Sequence, residues 1–118
     1  MIEIVIKTRD KNILGFEVEG HANYAQIGQD IICAGVSALT FNSINTLYEI
    51  VKIKDNMNVV VNENEIILDV DANNIDKQKL HDTQVVLRGY ELGIQSIIKE
   101  YEHSKDFEEF ISLYYREV

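Results

Sequence analysis

Apolar and polar positions alternate from the start of the chain. Ile2, Ile4 and Ile6 alternate with Glu3, Val5 and Lys7, which predicts a first strand with one clearly apolar face. Arg9-Asp10-Lys11-Asn12 is polar turn material. Leu14, Phe16 and Val18 then alternate against Gly15, Glu17 and Glu19, so the two runs predict a hairpin. Gly20 ends the second strand, and His21 stands where the chain leaves the sheet. Ala22 to Gln29 is small and polar, with Tyr24 and Ile27 as its only large apolar side chains. It predicts a loop with Gly20 and Gly28 as hinges.

Beyond that loop the period changes. Asp30 is placed as an N-cap, and Ile32, Val36, Leu39, Ser43, Leu47 and Ile50 follow at helical spacing. A first helix, largely buried, is predicted to run to about Lys52; Ala34, Gly35, Ser37 and Ala38 keep its first turns narrow. Lys54-Asp55-Asn56 reads as a loop. Met57 to Val61 and Glu65 to Val70 read as strands joined by Asn62-Glu63-Asn64, where asparagine tolerates positive φ. Asp71-Ala72-Asn73-Asn74 breaks the pattern. A long helix follows, with Leu80, Thr83, Leu87, Tyr90, Ile94, Ile97 and Tyr101 on one stripe. Asp106 to Arg116 reads as a short last helix showing Phe107, Phe110, Ile111 and Tyr114.

This order predicts a single α+β domain over residues 1–118, in two layers. The sheet is expected to be mainly antiparallel and four-stranded, made of two hairpins, under two main helices and a short C-terminal helix. Val5, Ile67, Val86 and Ile98 remain apolar after one face of each element is covered, which points to a second interface, most simply a twofold homodimer.

Composition narrows the function classes. The 118 residues are 46% hydrophobic and 26% charged, ordinary for a globular domain. One cysteine forms no internal disulfide and, with three histidines, no familiar zinc pattern, so neither metal nor cofactor is expected. Met1 to Lys7 lacks the basic flank and apolar run of a signal peptide. No apolar stretch is expected to approach the roughly 20 residues that span a bilayer. Together these readings predict a cytoplasmic chain with a reduced thiol and no membrane partner. The net charge of −9 repels a phosphate backbone, argues against nucleic acid and favours a basic partner, although acidity also serves solubility alone.

The candidate chemistry lies where the period changes. With Asp30 as cap, Cys33 falls at the third helical position, where free amides and the helix dipole favour a thiolate. His21 precedes it by twelve residues, and a loop folding back over the sheet edge brings the two together. A Cys-His pair is the minimum for attack on a carbonyl with proton donation to a leaving amine, and unpaired helix amides supply an oxyanion site. A carboxylate at Asp30 close to the sulfur would oppose the thiolate. Cys33 as an inert core residue, His21 as a surface residue, and a metal site from His21, Asp30 and Cys33 are the competing readings. His81 and His103 look solvated.

The segments Gly20-His21-Ala22, Tyr24-Ala25, Gly28-Gln29-Asp30-Ile31-Ile32-Cys33-Ala34 and Val36-Ser37-Ala38-Leu39 resemble the signature of the bacterial ribosomal-processing cysteine proteases, the Prp family. Phe16-Glu17-Val18-Glu19 before the histidine and Leu92-Gly93-Ile94 in the long helix extend the likeness over nearly the whole chain. The resemblance implies a cytoplasmic homodimeric endopeptidase that removes a short N-terminal extension from the twenty-seventh large-subunit ribosomal protein, after a pair of aromatic residues. By position it makes Cys33 the nucleophile and His21 its base and proton donor. Asp30 and Ser37 are inferred to support the site. Residues 22–29 are expected to act as a flap, with Gly20, Ala22, Tyr24, Ile27 and Gly28 binding substrate, and Tyr24, Ile27 and Phe41 are the candidates by proximity for the aromatic pocket. Gly35 replaces an expected alanine, and Tyr101-Glu102 lacks an expected proline. The alternative is a non-catalytic module that holds a basic ribosomal protein on an acidic face.

Overall fold

Alternating residues build the predicted hairpin. Strands β1 (Ile2–Arg9) and β2 (Asn12–Glu19) pair antiparallel. Asp10 and Lys11, at φ 50° and 71°, form a two-residue turn whose left-handed conformation suits the twist of the strands it joins. The structure is a computed structural model and describes residues 1–20, 29–101 and 111–118.

The second hairpin, β3 (Met57–Val61) and β4 (Glu65–Val70), joins the first through antiparallel pairing of β4 with β2. Its turn differs from expectation, because none of Asn62, Glu63 and Asn64 takes a positive φ. Instead the Asn62 side chain accepts the Asn64 N–H at 3.3 Å, and the Asn62 N–H donates to the Glu65 carbonyl at 2.9 Å.

Among the described residues the sheet has five strands, in the order β3-β4-β2-β1-β5. The fifth, β5 (Ile111–Glu117), runs parallel to β1 and corrects the expected C-terminal helix. Ile111 and Leu113 register with Ile2 and Ile4 and extend the apolar face, so the alternation 111, 113, 115 prevails over the helical spacing from Phe107. The open edge of β1 supplies the backbone partners. Residues 106–110 lie outside the described residues.

Two helices cover one face of this sheet. α1 spans Gln29–Thr46 and continues as a wider π-helical turn, Leu47–Val51, closed by Lys52 in the left-handed conformation. α2 spans Lys77–Tyr101. Ile32, Val36, Leu47, Leu87 and Ile94 press on Ile2, Ile4, Ile6, Phe16, Val18 and Leu68. The predicted stripe of α1 holds through Leu47, with Thr40 and Ile44 buried besides. Ile50 is 75% exposed, because the π turn rotates it away from the sheet.

Glycines set the helix–helix contact. A Cβ at Gly35 would stand 3.3 Å from Ile97, and one at Gly93 would stand 2.9 Å from Leu39. Beyond the Leu39–Gly93 contact Thr40 Oγ1 and Tyr90 Oη are 3.0 Å apart, and the Tyr90 ring stacks on Phe16 at 4.3 Å. Burial pushes the Tyr90 hydroxyl well above its ordinary pKa, against a smaller opposing effect of the Thr40 hydrogen bond. The Gln84 amide of α2 donates to the Ile13 carbonyl at 2.8 Å and accepts its N–H at 2.6 Å.

Ile31–Val51, 21 residues, is long and apolar enough by length and composition alone to cross a bilayer. In this fold the segment is instead the core helix.

The opposite face of the sheet carries no helix among the described residues. Across it run Val60, Ile67, Glu17, Val5 and Tyr114, in register from β3 to β5. Lys7 is buried and pairs with Asp69 and, at 3.6 Å, with Glu17, which Arg116 also engages. Its stem crosses Gly15, where a Cβ would collide with the Leu68 carbonyl oxygen at 2.0 Å.

Candidate active site

α1 carries the thiol at the end of the molecule where β2 finishes. Tyr48, just past α1, lines the same cavity as Met57 at the start of β3. The beginning of α1 therefore lies toward Val61, Glu65 and Gly20, at the opposite end of those strands.

Cys33, the only cysteine, is half-buried and packs on the edge of the core. The helix already includes Gln29 and Asp30, so Asp30 stands in the first turn and does not cap it. Cys33 is then the fifth residue of α1 and not the third. Its amide lies within the hydrogen-bonded ladder. Because a helical Cα–Cβ bond tilts toward the N-terminus, the thiol leans back toward residues 29–32. Ser37 lies one turn further on and is also half-buried.

Gly20 is fixed by backbone geometry. It takes φ 89°, its N–H donates to the Asn64 carbonyl at 3.1 Å, and a Cβ there would meet the Met1 carbonyl oxygen at 2.2 Å. Only glycine fits, and the chain is aimed out of the sheet at the residue before the histidine. His21, Ala22, Tyr24, Ile27 and Gly28 fall outside the described residues, as does His103. His81 is exposed. Phe41, 39% exposed, lies two turns along α1 from the thiol.

A feature that sequence reading missed lies further along the same helix. A cavity of about 420 Å³ opens between Ile44 and Tyr48 on one side and Met57 and Val59 on the other. The signal available was the side of α1 shared by Cys33, Ser37, Ile44 and Tyr48, which the core stripe does not use up.

Known proteins share both sequence and fold with this chain. Residues 1–105 match the family model described as cysteine protease Prp. The chain is 28% identical over 102 residues to the ribosomal processing cysteine protease Prp of Bacillus subtilis, covering 86% of this chain and 90% of that one. It is 31% identical over 103 residues to the protein of the same name from Staphylococcus aureus, covering 86% and 92%. Among solved structures, S. aureus Prp in complex with a substrate peptide superposes with a TM-score of 0.78 at 22% identity, over 98% of this chain and 100% of that one. SMU.848 from Streptococcus mutans superposes with a TM-score of 0.77 at 22% identity, over 100% and 99%. The two superpositions establish a shared fold.

Proposed function

This chain belongs to the Prp family of cysteine proteases, and on that premise we propose that it is a ribosomal-protein-processing endopeptidase working through a Cys33-His21 dyad. Its substrate on this reading is the precursor of the twenty-seventh large-subunit ribosomal protein, from which it removes the N-terminal extension. The observation that carries the proposal is the position of Cys33. The chain's single thiol sits near the described start of α1 and leans toward it, at the end of the sheet where Gly20 delivers the chain to His21.

The chemistry follows from those groups. The Cys33 sulfur, having passed its proton to His21, attacks the scissile carbonyl carbon, and the oxyanion that forms is met by backbone N–H groups of the first turn of α1. His21 then protonates the leaving amine as the C–N bond breaks, leaving a thioester. Water, deprotonated by His21, attacks the thioester carbonyl and releases the carboxylate and the thiol. Asp30 and Ser37, within one turn of Cys33 on either side, support the nucleophile. Gly20, Ala22, Tyr24, Ile27 and Gly28 hold the substrate.

We read the chain as a cytoplasmic homodimer, in the compartment where its substrate is made. The apolar positions Val60, Ile67, Val5 and Tyr114, across the sheet face that carries no helix among the described residues, support a second copy. A net charge of −9 suits a basic protein substrate and opposes nucleic acid.

The test is incubation of the precursor protein with the wild-type chain, Cys33→Ala and His21→Ala, followed by mass measurement of the ribosomal protein's N-terminus. Loss of the extension with the wild type alone is expected. An intact extension with the wild type, or cleavage surviving Cys33→Ala, would sink the reading. A non-catalytic binding module would instead hold precursor and mature forms alike, with or without the thiol.

A further inference from the structure

α1 has two flanks. Gly35 and Leu39 meet Ile97 and Gly93 of α2 on one. Cys33, Ser37, Ile44 and Tyr48 lie on the other, since eleven residues return a helix to within about 20° of the same side. Below that second flank lies β3. Met57, Val59 and Val61 register with Val70, Leu68 and Ile66, all buried under the helices, so these three belong to the helix-facing side of the sheet. Yet Val61 remains 55% exposed. On this reading α1 is the wall and β3 the floor of a trough, with Cys33 toward its head and, at its far end, the 420 Å³ cavity that Glu49 and Lys54 also line.

We propose that this trough seats the substrate's extended main chain, and that the cavity is a distal subsite for one large apolar side chain five to seven residues from the scissile bond. The inference rests on the endopeptidase reading and adds a specificity determinant to it. The length fixes the position. Ile44 is eleven residues beyond Cys33 and Tyr48 fifteen, roughly 16 to 22 Å along the axis at helical rise. An extended peptide advances about 3.3 Å per residue and covers that span in five to seven residues. The side chains flanking the cut therefore do not reach the cavity. The apolar lining of Ile44, Tyr48, Met57 and Val59 selects an aliphatic or aromatic group. β3 is the outermost strand, and its outer edge has no partner strand among the described residues, which leaves backbone groups for a peptide lying along it.

Binding to the Cys33→Ala chain tests this without relying on turnover. The probe is a fluorescent peptide of the ribosomal precursor extending nine residues on each side of the cut, with its residues replaced by Asp one at a time. Fluorescence anisotropy is expected to show one replacement, five to seven residues from the cut, that weakens binding roughly tenfold to a hundredfold. Asn45→Trp in the same background fills the cavity from an exposed position and should make the parent and that replaced peptide bind alike; a thermal melt confirms that it folds. Sensitivity confined to four residues around the cut overturns the proposal, as does sensitivity that persists in Asn45→Trp. So does an Asn45→Trp effect on sedimentation with none on peptide affinity, which would give the cavity to a second copy. Failure of every peptide to bind also overturns it. Cleavage of the parent peptide by the wild-type chain then decides separately whether the endopeptidase reading stands.

Discussion

Thr40 and Tyr90 share a hydrogen bond of 3.0 Å in the seam between the helix that carries the thiol and the helix that braces it. Tyr90→Phe keeps the stacking on Phe16 but leaves the buried Thr40 hydroxyl without this partner, for a loss of about 1–3 kcal/mol in a urea titration. The pH dependence has a definite sign. The folded-state pKa is raised by burial, so above about pH 10 the unfolded chain releases a proton that the folded chain retains. Stability supported by the neutral hydroxyl is intact below that pH and is lost as pH climbs toward the folded-state value. Tyr90→Phe should flatten the alkaline limb of a plot of stability against pH. An unchanged limb would refute the assignment.

Two glycines should respond oppositely to the same substitution. At Gly89 nothing lies within 4 Å of an added Cβ, so Gly89→Ala should gain about 0.5–1 kcal/mol from helix propensity alone. Gly15→Ala drives a methyl group into the backbone of β4, and a thermal melt should show severe loss or no folded protein.

Gln84→Leu removes both hydrogen bonds to Ile13 while keeping an apolar volume at the site. The buried Ile13 N–H and carbonyl then lose the Gln84 amide, and denaturant unfolding should report a loss of about 1–3 kcal/mol or more. Faster amide exchange at Ile13 than at its neighbours would locate the defect.

Lys7→Met retains a long stem over Gly15 and removes only the charge. Asp69 is half-exposed and hydrates, and Glu17 keeps Arg116. The loss should therefore stay well under the roughly 3–5 kcal/mol expected when one member of a fully buried pair is deleted. A larger loss in urea would show that the network acts as one unit.

Most of this fold was legible in the sequence, because short-range periodicity matched the final packing. Met57–Val61 and Glu65–Val70 form strands where alternation placed them, and Thr83, Leu87, Tyr90 and Ile94 are the buried stripe of α2. The failures have local causes. Ile111 and Tyr114 fit a helical spacing from Phe107, while Ile111, Leu113 and Tyr115 fit a strand; only the distant edge of β1 decides between them. The rotation of Ile50 depends on a π turn that no residue pattern announces. Of the candidate site, the position of Cys33 on a helix was readable, and the glycine before the histidine proved to be a backbone requirement. The cavity beyond it was not readable, because it depends on how far the end of α1 lies from β3.

The parallel pairing of β5 with β1 joins Ile2 to Ile111 and Thr8 to Glu117, positions 109 residues apart. During translation, the outer flank of β1 must wait for β5, so the sheet cannot be completed while β5 is still inside the ribosomal tunnel. Such long separation predicts slow closure. It leaves β1 with an adhesive margin until β5 emerges.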